Sequence, residues 1–189
     1  TFVIVGLDLV KKEIIISHRG SQNTINWLSN FDYKLNSMDS SKSDIKVHSG
    51  FLEVYRSNEK AVNKYLHELL KDPKYKGFKV IFTGHSLGAG VTTIHAAKVA
   101  SSIKDMGNQV ELYPYHSPRV GDINFSEFVS SLNISIARYT NRKDPINRLP
   151  GRSMSFSHIL GELHLPSSDK SNLPVNCDQK FVEDPNCAL

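Results

Sequence analysis

The pentapeptide Gly84-His85-Ser86-Leu87-Gly88 constrains this chain more than any other stretch, because of what flanks it. In front lies Phe78-Lys79-Val80-Ile81-Phe82-Thr83, an apolar run of strand type. Behind it Leu87, Val91, Ile94 and Lys98 recur on one helical face, and Ala96, Ala97 and Ala100 are small enough to let that helix lie close on a sheet. The pattern predicts a sharp strand-to-helix turn at Ser86. Flanking glycines remove the Cβ atoms that such a turn would press together. A serine lifted out of a sheet in this way is open to a histidine on one side and to a substrate on the other, which is what a hydroxyl needs to act as a nucleophile. The bare pattern also arises by chance as a glycine-rich turn, so its weight comes from the strand before and the helix after.

The remaining segments extend the same alternation. Phe2-Val3-Ile4-Val5 and Glu13-Ile14-Ile15-Ile16-Ser17 read as strands, the second ending at the turn His18-Arg19-Gly20-Ser21. Ser37 to Asp44, rich in Ser, Asp and Lys, reads as a solvated loop. Phe51, Tyr55, Val62, Leu66 and Leu69 predict a helix over Phe51 to Leu70, stopped by Asp72-Pro73. Gln109 to Tyr115 reads as a strand, Phe125 to Leu132 as a short helix and Ile134 to Thr140 as a further strand. Alternating strands and helices indicate an α/β architecture, a central, mostly parallel sheet with helices on both faces, and 189 residues suffice for one such domain. In open sheets of this kind reactive groups gather at the carboxyl ends of the strands. Three polar turns are expected there: the one after Ser17, the one at Ser86, and Asn141-Arg142-Lys143-Asp144-Pro145.

Charge and composition exclude several classes. Twenty-three Lys and Arg against 19 Asp and Glu give a net charge of +4, but acids lie between the bases and no aromatic-interleaved basic stripe appears, so no nucleic-acid partner is expected. There is no apolar stretch of about 18 residues, hence no expected transmembrane segment. Cys177 and Cys187 lie close together in a polar segment, where a disulfide would staple a loop with little core of its own and implies an oxidising compartment. A zinc site would need about four ligands, and His164 is too far from the cysteines to serve, so neither metal nor cofactor is expected. Asn124-Phe125-Ser126 and Asn133-Ile134-Ser135 match the glycosylation acceptor pattern and lend weak support to secretion.

A nucleophilic serine needs an acid to orient its histidine. Asp144 leaves a strand two steps after that of Ser86 and suits the order Ser, Asp, His, although it reads equally as a turn aspartate before Pro145. The oxyanion of an acyl-transfer intermediate needs two donors, for which Leu87 and Ser21 are placed; Ser21 is equally an ordinary turn residue. Thr24 to Asn30, with Ile25, Trp27 and Leu28, reads either as an amphipathic lid facing lipid or as a loop whose tryptophan is buried.

Taken in order, Ser17-His18-Arg19-Gly20-Ser21, Asn26-Trp27-Leu28, Val47-His48-Ser49-Gly50-Phe51-Leu52, Thr83-Gly84-His85-Ser86-Leu87-Gly88, Ser117-Pro118-Arg119-Val120-Gly121 and Asp144-Pro145-Ile146-Asn147-Arg148-Leu149-Pro150 resemble the fungal class 3 triacylglycerol lipases and the related feruloyl esterases and mono- and diacylglycerol lipases. The resemblance runs from about Thr1 to Cys187. It implies the α/β-hydrolase fold, Ser86 as nucleophile, Asp144 as acid, Ser21 and Leu87 as oxyanion hole, and a lid over Thr24 to Asn30. It further implies a secreted, monomeric enzyme that meets a lipid interface and acts on an acylglycerol or other ester. A feruloyl-type esterase and a non-catalytic binding module are the alternatives. The family's triad histidine comes after the second cysteine, in an Asp-His-x-x-Tyr-Phe type motif that nothing here matches, and a helical segment before Phe2 is also missing. The chain is therefore expected to be incomplete at both ends. His158 and His164 are the histidines that follow Asp144, with His158 as fallback base at a family position that is not the triad's. His85 belongs to the Ser86 turn. His18, His48, His67, His95 and His116 precede Asp144 and fall outside the family order.

Overall fold

Among the described residues a central sheet of eight strands runs in the order β1, β2, β5, β6, β8, β9, β10, with the short β7 also on β6. The strands are β1 (Val3–Asp8), β2 (Glu13–His18), β5 (Lys79–His85), β6 (Gln109–Tyr115), β7 (Ser135–Ile136), β8 (Arg138–Asn141), β9 (Glu162–Leu165) and β10 (Val175–Asn176). A computed structural model describes residues 2–21, 33–166, 173–178, 183–184 and 187. The edge pairs β1·β2 and β9·β10 are antiparallel and everything between is parallel.

The apolar strand residues meet one helix. In register, Ile14, Val80 and Val110 form one row and Ile16, Phe82 and Leu112 the next, all nearly or fully buried. Helix α2 (Leu87–Asp105), whose alanines allow close approach, packs on β5 and β6 over these rows. Each buried aliphatic or aromatic side chain contributes roughly 1.5–3 kcal/mol of transfer energy. Helix α1 (Ser49–Lys71) lies against α2 and buries Phe51, Tyr55, Val62, Leu66 and Leu70. His48 caps α1, its Nδ1 accepting from the Gly50 N–H, and Asp72 ends it by starting the 3-10 turn Pro73–Tyr75. On the opposite sheet face Glu13, Ile15, Ser17, Thr83, Glu111 and Tyr113 are half-buried, and Lys79 bridges Glu13 and Glu111 at 3.3 and 3.5 Å.

Two expectations need correction. Ser37 to Asp44 is not a loop: β3 (Leu35–Asp39) and β4 (Lys42–His48) form an antiparallel hairpin whose turn is held by the Ser41 N–H on Asp39 Oδ1. Met38, Ile45 and Val47 point inward at period two while Ser and Lys face water, an alternation that polar composition alone conceals. The strand over Ile134 to Thr140 is interrupted at Ala137, giving β7 and β8. The other expected elements appear within a few residues of their predicted bounds, including α3 (Ile123–Ser131), capped by Asp122.

Candidate active site

Ser86 stands between the last residue of β5 and the first of α2, with φ 56° and ψ −121°. A non-glycine residue in that region carries backbone strain of order 1–3 kcal/mol, so it persists only where its surroundings enforce it. They do so here through backbone packing. A Cβ on Gly20 would sit 2.6 Å from the His85 carbonyl oxygen, and Cβ atoms on Gly84 and Gly88 would strike the Gly88 and His18 carbonyls. The end of β2, the turn and the first coil of α2 are thus interlocked, with Gly20 packed against His85 and Gly88. The Ser86 N–H is held by the Tyr115 carbonyl of β6 at 3.1 Å. Its hydroxyl is fully buried and has no hydrogen-bond partner among the described residues.

Asp144 follows β8, two strands across from β5 in the sheet. Its Oδ1 accepts the Ile146 N–H at 2.9 Å, capping the 3-10 turn Pro145–Arg148, and its Oδ2 accepts from His116 Nδ1 at 2.5 Å. The pair lies on a cavity of about 690 Å³ walled also by Arg142, Lys143, His164 and Cys187. Ser86 is not among the residues that line this cavity. His85 stands 5.2 Å from His116, ring to ring; burial first, and then the neighbouring imidazole, hold it below the ordinary histidine range.

Neither histidine after Asp144 touches it. His158 is buried with Nε2 on the Asn147 carbonyl at 2.7 Å, and burial followed by the nearby Arg138 pushes it well below 6.5. His164 bonds Thr140 Oγ1 at 2.9 Å through Nδ1. Chain order sets His116 aside, yet it is the histidine that meets the acid. The signal that could have found it is its place directly after the strand Gln109–Tyr115, at the same sheet edge as Ser86.

On the other side of β5, His18 Nε2 meets His95 Nδ1 at 2.9 Å, and His95 Nε2 meets Asn63 Oδ1 at 2.7 Å. The Asn63 amide donates to the Tyr55 hydroxyl, which donates to Glu59 at 3.0 Å. Because Asn63 Oδ1 can only accept, His95 carries its proton on Nε2 and His18 donates to it. Burial pushes His18 down to about 4 and His95 to about 3.

Cys177 and Cys187 form the expected disulfide. Arg119 ties the same C-terminal region to the body by holding Glu183 through Nε at 2.6 Å and Nη2 at 2.8 Å. Among the described residues no cluster of three or more His, Cys, Asp or Glu could hold a metal. Ile25, Trp27 and Leu28 lie outside the described residues.

Residues 15–154 match the family described as Lipase (class 3). The chain belongs to the class 3 lipase family. A secreted mono- and diacylglycerol lipase of Fusarium solani is 37% identical over 161 residues, covering 85% of this chain and 46% of that protein. A lipase of Rhizomucor miehei is 31% identical over 166 residues, 87% of this chain and 45% of its own length. A chloroplastic phospholipase A1 of Arabidopsis thaliana is 29% identical over 163 residues, 76% of this chain and 34% of that protein. The chain thus spans about half the length, or less, of these relatives. Among solved structures, the Rhizomucor miehei lipase propeptide complex superposes with TM-score 0.88 at 28% identity, covering 98% of this chain and 58% of that one. The mono- and diacylglycerol lipase of Aspergillus oryzae gives 0.80 at 26%, covering 91% and 62%. The fold of this class 3 lipase member is accordingly the α/β-hydrolase fold, a mostly parallel sheet with helices.

Proposed function

We propose that this class 3 family member hydrolyses carboxylic esters of glycerolipids through an acyl-enzyme on Ser86. The observation that carries the reading is the strained, glycine-locked Ser86 turn with a buried hydroxyl that has no hydrogen-bond partner among the described residues. Ser86 attacks the ester carbonyl and forms a tetrahedral intermediate, whose oxyanion takes hydrogen bonds from the Leu87 N–H and the Ser21 loop. A histidine oriented by Asp144 removes the serine proton and returns it to the leaving alcohol, and water then releases the fatty acid. In the family pattern that histidine lies beyond the second cysteine, and neither His158 nor His164 is placed to replace it.

Relatives named for mono- and diacylglycerols and for phospholipids support a lipid ester rather than one particular head group. The disulfide and the secreted Fusarium solani relative support an extracellular setting. No described helix is long and apolar enough to cross a membrane.

The test measures hydrolysis of a short activated ester and of a diacylglycerol emulsion by the 189-residue chain and by a product continued past Leu189. The expected result is turnover by the longer product that Ser86→Ala abolishes. In subtilisin removal of the triad histidine costs about as much as removal of the whole triad, near 10⁶-fold, so the shorter chain should show only background. Turnover that survives Ser86→Ala overturns the proposal.

A further inference from the structure

His116 occupies a backbone position that few residues other than glycine adopt. It is not glycine, yet its φ is +49°. Its own N–H donates to the Tyr139 carbonyl of β8 at 2.8 Å, while the residue before it accepts the Ser86 N–H. The residue therefore sits between the two strands that lead to Ser86 and Asp144. Its ring is a quarter exposed on the cavity wall, and Nδ1 donates to Asp144 Oδ2 at 2.5 Å. Charged and titratable neighbours are His85 across the turn, Arg142 and Lys143 on the loop after β8, and His164 on β9.

We infer that His116 is a positioning residue that holds the Asp144 carboxylate in the orientation from which it receives the general base. The inference rests on the reading of Asp144 as the triad acid. A carboxylate offers about four lone-pair sites. The Ile146 N–H takes one on Oδ1 and His116 takes one on Oδ2, which stops rotation about the Cβ–Cγ bond and leaves one site on each oxygen for the base. Without His116 the Oδ2 edge is free to turn toward solvent in the cavity. Asp144 keeps acceptor sites for the base and can still stabilise an imidazolium formed during attack. The short bond to a charged acceptor belongs to the stronger class of hydrogen bonds.

Two substitutions separate this role from a merely structural one. His116→Gly removes the donor and relaxes the positive φ, so the fold should be retained or slightly stabilised. His116→Asn keeps an N–H donor near the position of Nδ1 in a residue that tolerates positive φ. In the ester-hydrolysing product, His116→Gly should lower kcat about 10- to 100-fold, the range expected for a hydrogen bond to a charged group, with KM little changed. His116→Asn should recover most of that loss. In the 189-residue chain, proton NMR should show a strongly downfield imidazole N–H that disappears in Asp144→Asn and persists in Ser86→Ala.

An unchanged kcat in His116→Gly, with Ser86→Ala inactive, overturns the inference while leaving the hydrolase reading intact. A loss as deep as that of Ser86→Ala without rescue by asparagine also overturns it, since His116 would then be the base itself. Absence of the downfield proton denies the hydrogen bond regardless of activity. Turnover that survives Ser86→Ala strikes the hydrolase reading and not the His116 contact, which the NMR measurement decides separately.

Discussion

His18 ends β2 and His116 directly follows β6, so the two flank the elbow strand β5 at the same sheet edge. His18 turns into the interior and meets another imidazole, whereas His116 turns to a cavity and meets a carboxylate. Among the described residues no acid is bonded to His18 or His95, so burial favours the neutral form of both rings, and a one-way chain of donors runs from His18 through His95, Asn63 and Tyr55 to Glu59. That chain pins the end of β2, and with it the Gly20-Ser21 loop. Around His116 a carboxylate is in direct contact, and the ring stands a quarter exposed on the cavity wall. Position on the sheet edge is therefore not enough to mark a reactive histidine; the group opposite the ring settles its chemistry.

Asp144→Asn should give the largest effect. It leaves Oδ1 able to accept from Ile146 but removes the acceptor that His116 and the base both need. In the active product kcat should fall roughly 10⁴-fold, as in other triads, while the melting temperature stays close to that of the parent. A loss smaller than tenfold would remove the distinction drawn between the two histidine sites.

Acid should act first on the buried pair. The two rings titrate at about 4 and about 3 in the fold, and at about 6.5 when unfolded. As pH falls below 6.5 the unfolded chain binds protons before the folded one does. Stability that is intact above 6.5 is then lost down through pH 4 and below. Between pH 7 and pH 5 the loss should reach about 2 kcal/mol for each ring. Urea unfolding at the two pH values checks this, with the double substitution His18→Phe/His95→Leu as reference. Equal acid sensitivity of parent and double variant would place the proton uptake elsewhere.

His95→Leu alone should cost about 2 kcal/mol, because His18 keeps a buried N–H without an acceptor. For a domain of this size that lowers the melting temperature by about 4–8 °C. Adding His18→Phe should return part of the loss, since replacing both partners by apolar groups removes the orphaned donor. Strict additivity of the two changes would mean that the pair is not coupled.

Much of the frame was legible in the chain. The Ser86 turn, the strand before it, the helix after it and the stop at Asp72-Pro73 are local, and each follows from the side chains of a few consecutive residues. The β3·β4 hairpin was not legible in the same way. Its inward residues, Met38, Ile45 and Val47, are outnumbered by Ser, Asp and Lys on the solvent side, so composition outweighed alternation. Asp144 was legible as a candidate by its place after a strand; its partner was not, because chain order pointed to histidines that follow it.

The sequence by itself determined the Ser86 elbow, the alternation of strands and helices, and the two cysteines able to close a disulfide. Only the tertiary structure decided which histidine meets which group. His116 and Asp144 are 28 residues apart, Arg119 and Glu183 are 64, and His18 and His95 are 77. None of these meetings is written in spacing or propensity. They depend on sheet order, which sets β6 between β5 and β8, and on the burial of α2 against β2, β5 and β6, which carries His95 beneath the end of β2. Strand order results from the packing of many apolar side chains at once, so a polar contact made at its edge belongs to the assembled fold and to no single segment.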